Sequence, residues 1–297
     1  MVLFLCKERR KMESKTTAND YKILCSEANK MLKMKNGSIT SNGWYKIDSE
    51  QDRKSNFKGV LFEKDGQYAI CFVGTDRTST KDWGANFKMA TTGNSRQIEI
   101  AKKFTQVMQQ KYCLNNENTI SIGHSEGGTE ATEVGVENAF KTITFNAYGI
   151  SKKHLSPYQN YDNLVTNYRD PHDPVSKLKS NIGTTYIVPS TQNSIMSKTP
   201  FGSIQAHGIN NMGDCNNAIP VKEYKKSNPL FIDKISDKDI SRQDIKEMDS
   251  NLFRIYEKEI DNRLANNQIK SSKESNSSNS SSGQWVTING NHVLLKK

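Results

Sequence analysis

Cysteine is scarce in this chain of 297 residues, and its count is odd. The five (Cys6, Cys25, Cys71, Cys113 and Cys215) include no Cys-x-x-Cys pair, which argues against a disulfide framework and against a structural zinc site. No apolar run approaches the roughly 20 residues that span a bilayer. The opening Met1-Val-Leu-Phe-Leu is too short for a signal-peptide core, and its charges follow rather than precede it. The expectation is a chain that is cytoplasmic as synthesised, with any export by a route that reads no N-terminal signal. Hydrophobic residues make up only 34% and mean hydropathy is −0.75, so part of the chain should lie outside a packed core. The net charge of +10 would favour anionic lipid or nucleic acid, yet the lysines are scattered as on a solvated surface. No recognised module or aromatic-basic interleaving points to nucleic acid.

Against this background stands Asn118 to Ala131. Thr119 to Ile122 is β-prone, Gly127-Gly-Thr-Glu-Ala can open a helix, and between them lies Gly123-His124-Ser125-Glu126-Gly127, a match to G-x-S-x-G. A serine presented from a sharp strand-to-helix turn occupies a strained backbone position. Small residues two before and two after it let strand and helix pass closely. The helix N-terminus then directs its N–H groups toward a developing oxyanion. The pattern is short, and the bland alternative is a glycine-rich βα turn with a capping serine.

The rest of the chain reads as a scaffold for this turn. Residues 1–19 form a loose basic arm. A helix spans about 20–34, with Asp20 as N-cap and Tyr21, Leu24, Ala28, Met31 and Leu32 at helical spacing. Strands at Phe57–Glu63 and Tyr68–Val73 flank Asp65-Gly66, a favoured type I′ hairpin centre. The second is nearly all apolar, as a strand buried on both faces should be. It ends in Gly74-Thr75, suited to supply an oxyanion N–H and a second donor from the threonine hydroxyl. A helix from Ile98 to Tyr112 has Ile100, Phe104, Val107 and Met108 on one face. Strands follow at Lys141–Phe145, Leu164–Tyr168 and Thr184–Val188. This alternation implies an α/β fold with a mainly parallel sheet flanked by helices, assigned to residues 20–236. An amphipathic helical extension covers 237–270. Residues 271–283 form a linker, with eight serines in the twelve positions 271–282. Residues 284–297 form a hairpin tail about Asn289-Gly290, too small to be stable alone.

A serine hydroxyl needs a histidine base and a carboxylate to orient it. His124 flanks the serine, so its side chain should point elsewhere, and His292 lies in the tail. His154 and His172 are available, but the chain order serine, acid, histidine favours His207, which follows the last clear strand. For the acid, Asp170-Pro-His-Asp173 offers two carboxylates just past a strand end.

The set Phe72-Val-Gly-Thr-Asp76, Asp82-Trp83, Gly123-His-Ser-Glu-Gly-Gly128, Thr144-Phe-Asn146, Asp173-Pro-Val175 and His207-x-x-Asn210-x-Met212 resembles the class 3 lipase family and its bacterial phospholipase-like relatives. The resemblance spans about residues 20–215 in family order and implies an α/β-hydrolase fold. In that pattern the acid precedes x-Val, which selects Asp173, and Thr75 with the N–H of Glu126 forms the oxyanion hole. Many relatives carry an apolar residue at the position of Glu126; a carboxylate there would disfavour fatty-acid products or select a cationic headgroup. The closing Trp285-Val-Thr-Ile-Asn-Gly-Asn-His-Val293 looks like short tails of phage head-morphogenesis proteins, which would make a phage or secretion particle the tail's partner. The expected function is a lipase or phospholipase A acting at a lipid or membrane surface by serine chemistry, without metal or cofactor. The alternatives are an esterase for small soluble esters and a non-catalytic docking protein on a hydrolase fold.

Overall fold

A computed structural model describes residues 16–74, 95–150, 160–173, 175–177, 181–189, 205–229, 231, 233, 284–288 and 291–295. Thr75, Asp82, Trp83, His154, residues 1–15, the helix expected over 237–270 and the serine-rich linker lie outside the described residues.

Helix α1 (Ala18–Leu32) starts earlier than its spacing suggested. Its N-cap is Thr17, and Asp20 is the third helical residue of a capping box: Asp20 N–H donates to Thr17 Oγ1 at 3.4 Å and Thr17 N–H returns to the Asp20 carboxylate at 2.8 Å. Leu24, Ala28 and Met31 face the core. At the other end the buried Lys46 donates to the carbonyls of Leu32 and Met34, satisfying acceptors that the helix leaves open.

The sheet has eight strands in sequential order. They are β1 (Tyr45–Asp52), β2 (Phe57–Lys64), β3 (Gln67–Phe72), β4 (Thr119–His124), β5 (Lys141–Phe145), β6 (Val165–Arg169), β7 (Thr184–Ile187) and β8 (Ile219–Pro220). β1–β2–β3 is antiparallel, β3 through β7 are parallel, and β8 returns antiparallel. The β2–β3 turn takes φ 53° at Asp65 and 80° at Gly66, as a type I′ turn requires. β1 had no counterpart in the sequence reading. Its composition is polar because it is an edge strand, held by its ladder to β2 rather than by burial.

Alternation along the strands builds two cores. Val60, Phe62, Ala69 and Cys71 pack with α1 on one face. Leu61, Ile70 and Phe72 pack on the other against Ala101, Phe104 and Met108 of α2 (Ser95–Tyr112) and Ala131 and Val134 of α3 (Glu126–Asn138). Val107 does not join this face: it is 52% exposed.

The two ends of the segment that builds the main sheet meet. Lys22 Nζ of α1 donates to Gly213 O at 2.6 Å, Asn19 Nδ2 to Asp214 Oδ1 at 2.6 Å, and Cys215 N–H to Asn19 Oδ1 at 3.0 Å. A short helix α4 (Val221–Ser227) follows β8. The odd cysteine count forbids complete pairing but not a single bond: Cys113 is disulfide-bonded, while Cys25, Cys71 and Cys215 are buried free thiols. The strands β9 (Gln284–Ile288) and β10 (Asn291–Leu295) pair with each other in a separate two-stranded hairpin. Among the described residues no helix is long and apolar enough to cross a membrane.

Candidate active site

β4 runs into α3 through one residue, Ser125, with φ 59° and ψ −125°. That left-handed backbone is costly for a residue with a side chain, and its surroundings hold it there. Ser125 N–H donates to Phe145 O of β5 at 3.1 Å. A Cβ on Gly123 would collide with the Gly127 carbonyl, and one on Gly127 with the Phe72 carbonyl of β3. The two glycines thus let the turn fold against itself and against the neighbouring strand.

Two loops converge on the serine from the C-terminal ends of the parallel strands. His207 brings Nε2 to 2.8 Å from Ser125 Oγ and Nδ1 to 3.0 Å from Asp173 Oδ1. The Asp173 carboxylate is fully buried and also accepts Val175 N–H on Oδ1 at 2.9 Å and Ser176 N–H on Oδ2 at 3.1 Å. Burial pushes this carboxyl up. The charge and hydrogen bond of His207, with the Val175 amide and Ser176, outweigh it and hold Asp173 below the ordinary carboxylate range. Asp170, also buried, accepts His172 N–H at 2.8 Å, closing the loop on itself.

Glu126 opens α3 and is half-buried, with its backbone N–H in the first turn. Four residues on, Glu130 is almost fully buried and its Oε2 has no hydrogen-bond partner among the described residues. Burial, and then the charge of Glu126, pushes the Glu130 carboxyl well above its ordinary value. Among the described residues no group of three or more His, Cys, Asp or Glu side chains is placed to hold a metal ion.

The sequence reading set His124 aside because its backbone belongs to the turn and its side chain points elsewhere, and it left open where the ring goes. Its Nε2 lies 2.7 Å from the carbonyl oxygen of His207, and the two rings stand 4.9 Å apart at 34°. Desolvation, and then the charge of His207, lowers its pKa to about 4, so near neutral pH it is an uncharged imidazole. The backbone belongs to the elbow, but the ring reaches a loop that arrives 83 residues later. Asn146, at the end of β5, also went unassigned; it is fully buried between the two loops. In the sequence it stood in the Thr144-Phe-Asn146 motif with no role attached, as an asparagine closing a strand, a residue that tolerates positive φ, here 46°.

Comparison with known proteins finds relatives of the chain. Over 108 residues the chain is 28% identical to an extracellular phospholipase A1 of Serratia liquefaciens, covering 36% of this chain and about a third (32%) of that enzyme's length. Solved structures with a similar fold include a triacylglycerol lipase whose catalytic centre is described as a serine protease triad (13% identity, 60% of this chain and 80% of that one, TM-score 0.46). A lipase of Rhizopus microsporus var. chinensis is similar to the same degree (13% identity, 64% and 84%, TM-score 0.45). The sequence profile of the phospholipase-like family described as the Tle-like phospholipase domain matches residues 15–217, which take in the elbow, both converging loops and most of the sheet, and the chain belongs to that family.

Proposed function

We propose that the chain is a serine carboxylester hydrolase of the phospholipase A type, cleaving acyl esters of phospholipids through an acyl-enzyme. The observation that carries this reading is the continuous line from Ser125 Oγ through His207 to the buried Asp173, at 2.8 and 3.0 Å, set at a strained strand-to-helix turn.

Ser125 Oγ attacks the ester carbonyl carbon as its proton passes to His207 Nε2. Asp173, kept ionised by its three donors, holds Nδ1–H and stabilises the imidazolium that forms. The carbonyl oxygen becomes an oxyanion, assigned to Glu126 N–H at the positive end of α3 and, following the family resemblance, to Thr75. The tetrahedral centre collapses, the C–O bond to the lyso-lipid breaks, and His207 returns its proton to the departing alkoxide. Water, deprotonated by the same histidine, then releases the fatty acid. These side chains supply each step, and the reading calls on no metal or cofactor.

Phospholipid as substrate is supported by the family description and by the Serratia relative. That relative's extracellular description supports export of this chain. For the hairpin tail the proposal is docking to a larger particle, supported by its pairing apart from the main sheet and its place beyond the family match.

A fluorophosphonate probe and lipid mass spectrometry test the reading together. The protein incubated with mixed bacterial phospholipids should yield lyso-lipids and free fatty acids, and the probe should label Ser125. Ser125→Ala and His207→Ala should each lose several orders of magnitude in turnover while staying folded. Labelling with hydrolysis of short esters alone would favour the small-ester reading. A folded protein that neither labels nor hydrolyses would favour a docking role.

A further inference from the structure

Ser125, Asp173 and His207 come from three separate connections between strands, and the side chain of one further residue touches two of them. Asn146 projects from the corner after β5. Its Nδ2 donates to the carbonyls of Ala206 at 2.9 Å and His207 at 3.1 Å, and its Oδ1 accepts Asp170 N–H at 2.9 Å. The corner itself is fixed on both sides: Asn146 N–H donates to Tyr168 O at 2.9 Å, and the preceding carbonyl, Phe145 O, receives Ser125 N–H at 3.1 Å. The amide orientation follows from its partners, since two carbonyls can face only the NH2 end and a peptide N–H only the oxygen. His124 completes the grip. Its Nε2–H donates to the same His207 carbonyl at 2.7 Å, so both lone pairs of that oxygen are engaged while the two imidazoles pack against each other at a tilt.

We infer that Asn146, assisted by His124, is the positioning residue that registers the histidine loop against the acid loop, so that the His207 ring meets Asp173 and Ser125 at once. The inference rests on the serine-hydrolase reading above for its catalytic consequence. Asn146 touches no reacting atom. Its contribution is to the alignment of the base, and small misplacements of reacting groups cost rate steeply. Only an amide of this length presents two donors and an acceptor here. Aspartate has the same shape but would set a carboxylate against two carbonyl oxygens, and glycine accepts the backbone angle while removing all three bonds.

Two Asn146 variants and two His124 variants test this in the full-length protein. In Asn146→Asp and Asn146→Gly, kcat on a soluble monomeric ester should fall about 10- to 100-fold with KM changed less than about twofold. The rate of fluorophosphonate labelling should fall in proportion. The downfield proton resonance of the His207–Asp173 hydrogen bond should broaden or vanish. His124→Leu should show a milder loss, and His124→Gln, whose amide can donate again, should recover most of it. Folded Asn146 variants with wild-type labelling rates and an unchanged resonance would overturn the inference. If neither Asn146 variant folds, equal activity of His124→Leu and His124→Gln overturns it instead. Ser125→Ala, run alongside, separates the two readings: if it still turns over ester, the triad assignment fails, and the resonance alone decides the clamp.

Discussion

Replacing Asp173 by asparagine changes one atom and leaves the volume intact, which makes the consequence calculable. In the native site all three neighbours of the carboxylate are donors: His207 Nδ1 and Val175 N–H on Oδ1, and Ser176 N–H on Oδ2. An amide must turn its NH2 group toward one of these oxygen positions. Facing Ser176, it leaves that N–H without an acceptor, about 1–3 kcal/mol when buried, and the imidazolium loses its counter-charge. Facing Val175 and His207, it forces Nδ1 to accept, so the proton moves to Nε2 and the group opposite Ser125 is no longer a base. Either arrangement disables proton transfer, and a triad so altered loses about 10⁴ in kcat, or roughly 5 kcal/mol of transition-state stabilisation. The assay is kcat on a short chromogenic ester with labelling rate and thermal melting in parallel. Asp170→Asn is the control and should keep kcat within a few-fold. The melts carry their own signature. A carboxyl whose folded pKa is depressed adds stability above its unfolded pKa and loses it as pH falls through the lower folded value, so the wild-type advantage in Tm over Asp173→Asn should shrink on acidification. If Asp170→Asn proves the crippled enzyme and Asp173→Asn the active one, the acid has been misassigned.

Three further outcomes are expected. Gly127→Ala drives a methyl into the Phe72 carbonyl, a backbone atom that cannot swing aside, and should cost about 1–3 kcal/mol, roughly 2–12 °C in Tm; an unchanged melt would show that the elbow has slack. Glu130→Gln removes a buried carboxyl whose pKa is pushed up by burial. Such a group costs stability as pH rises above its unfolded value, so wild-type Tm should decline as pH rises above the ordinary carboxyl range while the variant declines less; parallel curves would refute this. A chain ending at Lys270 should keep its Tm and its activity on monomeric esters, because the proposed triad precedes that point; a large loss of Tm would mean that the tail is part of the domain.

What could be read from the sequence was what depends on neighbours along the chain. The Gly123–Gly127 spacing, the Asp65-Gly66 turn and the apolar β3 are each determined within a few residues, because collisions, φ preferences and burial act locally there. Strand β1 escaped notice because an edge strand is stabilised by its partner's backbone and needs no apolar signature. Asp170 and Asp173 are both buried and lie in one loop, so composition does not separate them; the distinction is made by where His207 arrives. The partner of His124 was not legible for the same reason: its ring is held by the 207 carbonyl, which local geometry does not foresee. Asn146 had its backbone angle legible in its residue type, and its partners at 170 and 206–207 were not.

The joining of α1 to residues 213–215 sets an order of events during synthesis. Those contacts span nearly the whole catalytic region, so they cannot exist until residue 215 has left the ribosome. The groups that hold His207 in place, from His124, Asn146 and Asp173, are all made before the histidine itself. A nascent chain therefore carries Ser125 for 82 residues without its base. If the chain attacks membrane lipids as proposed, the cell that makes it is spared that chemistry until the His207 segment has emerged and docked, and any protection it needs begins then.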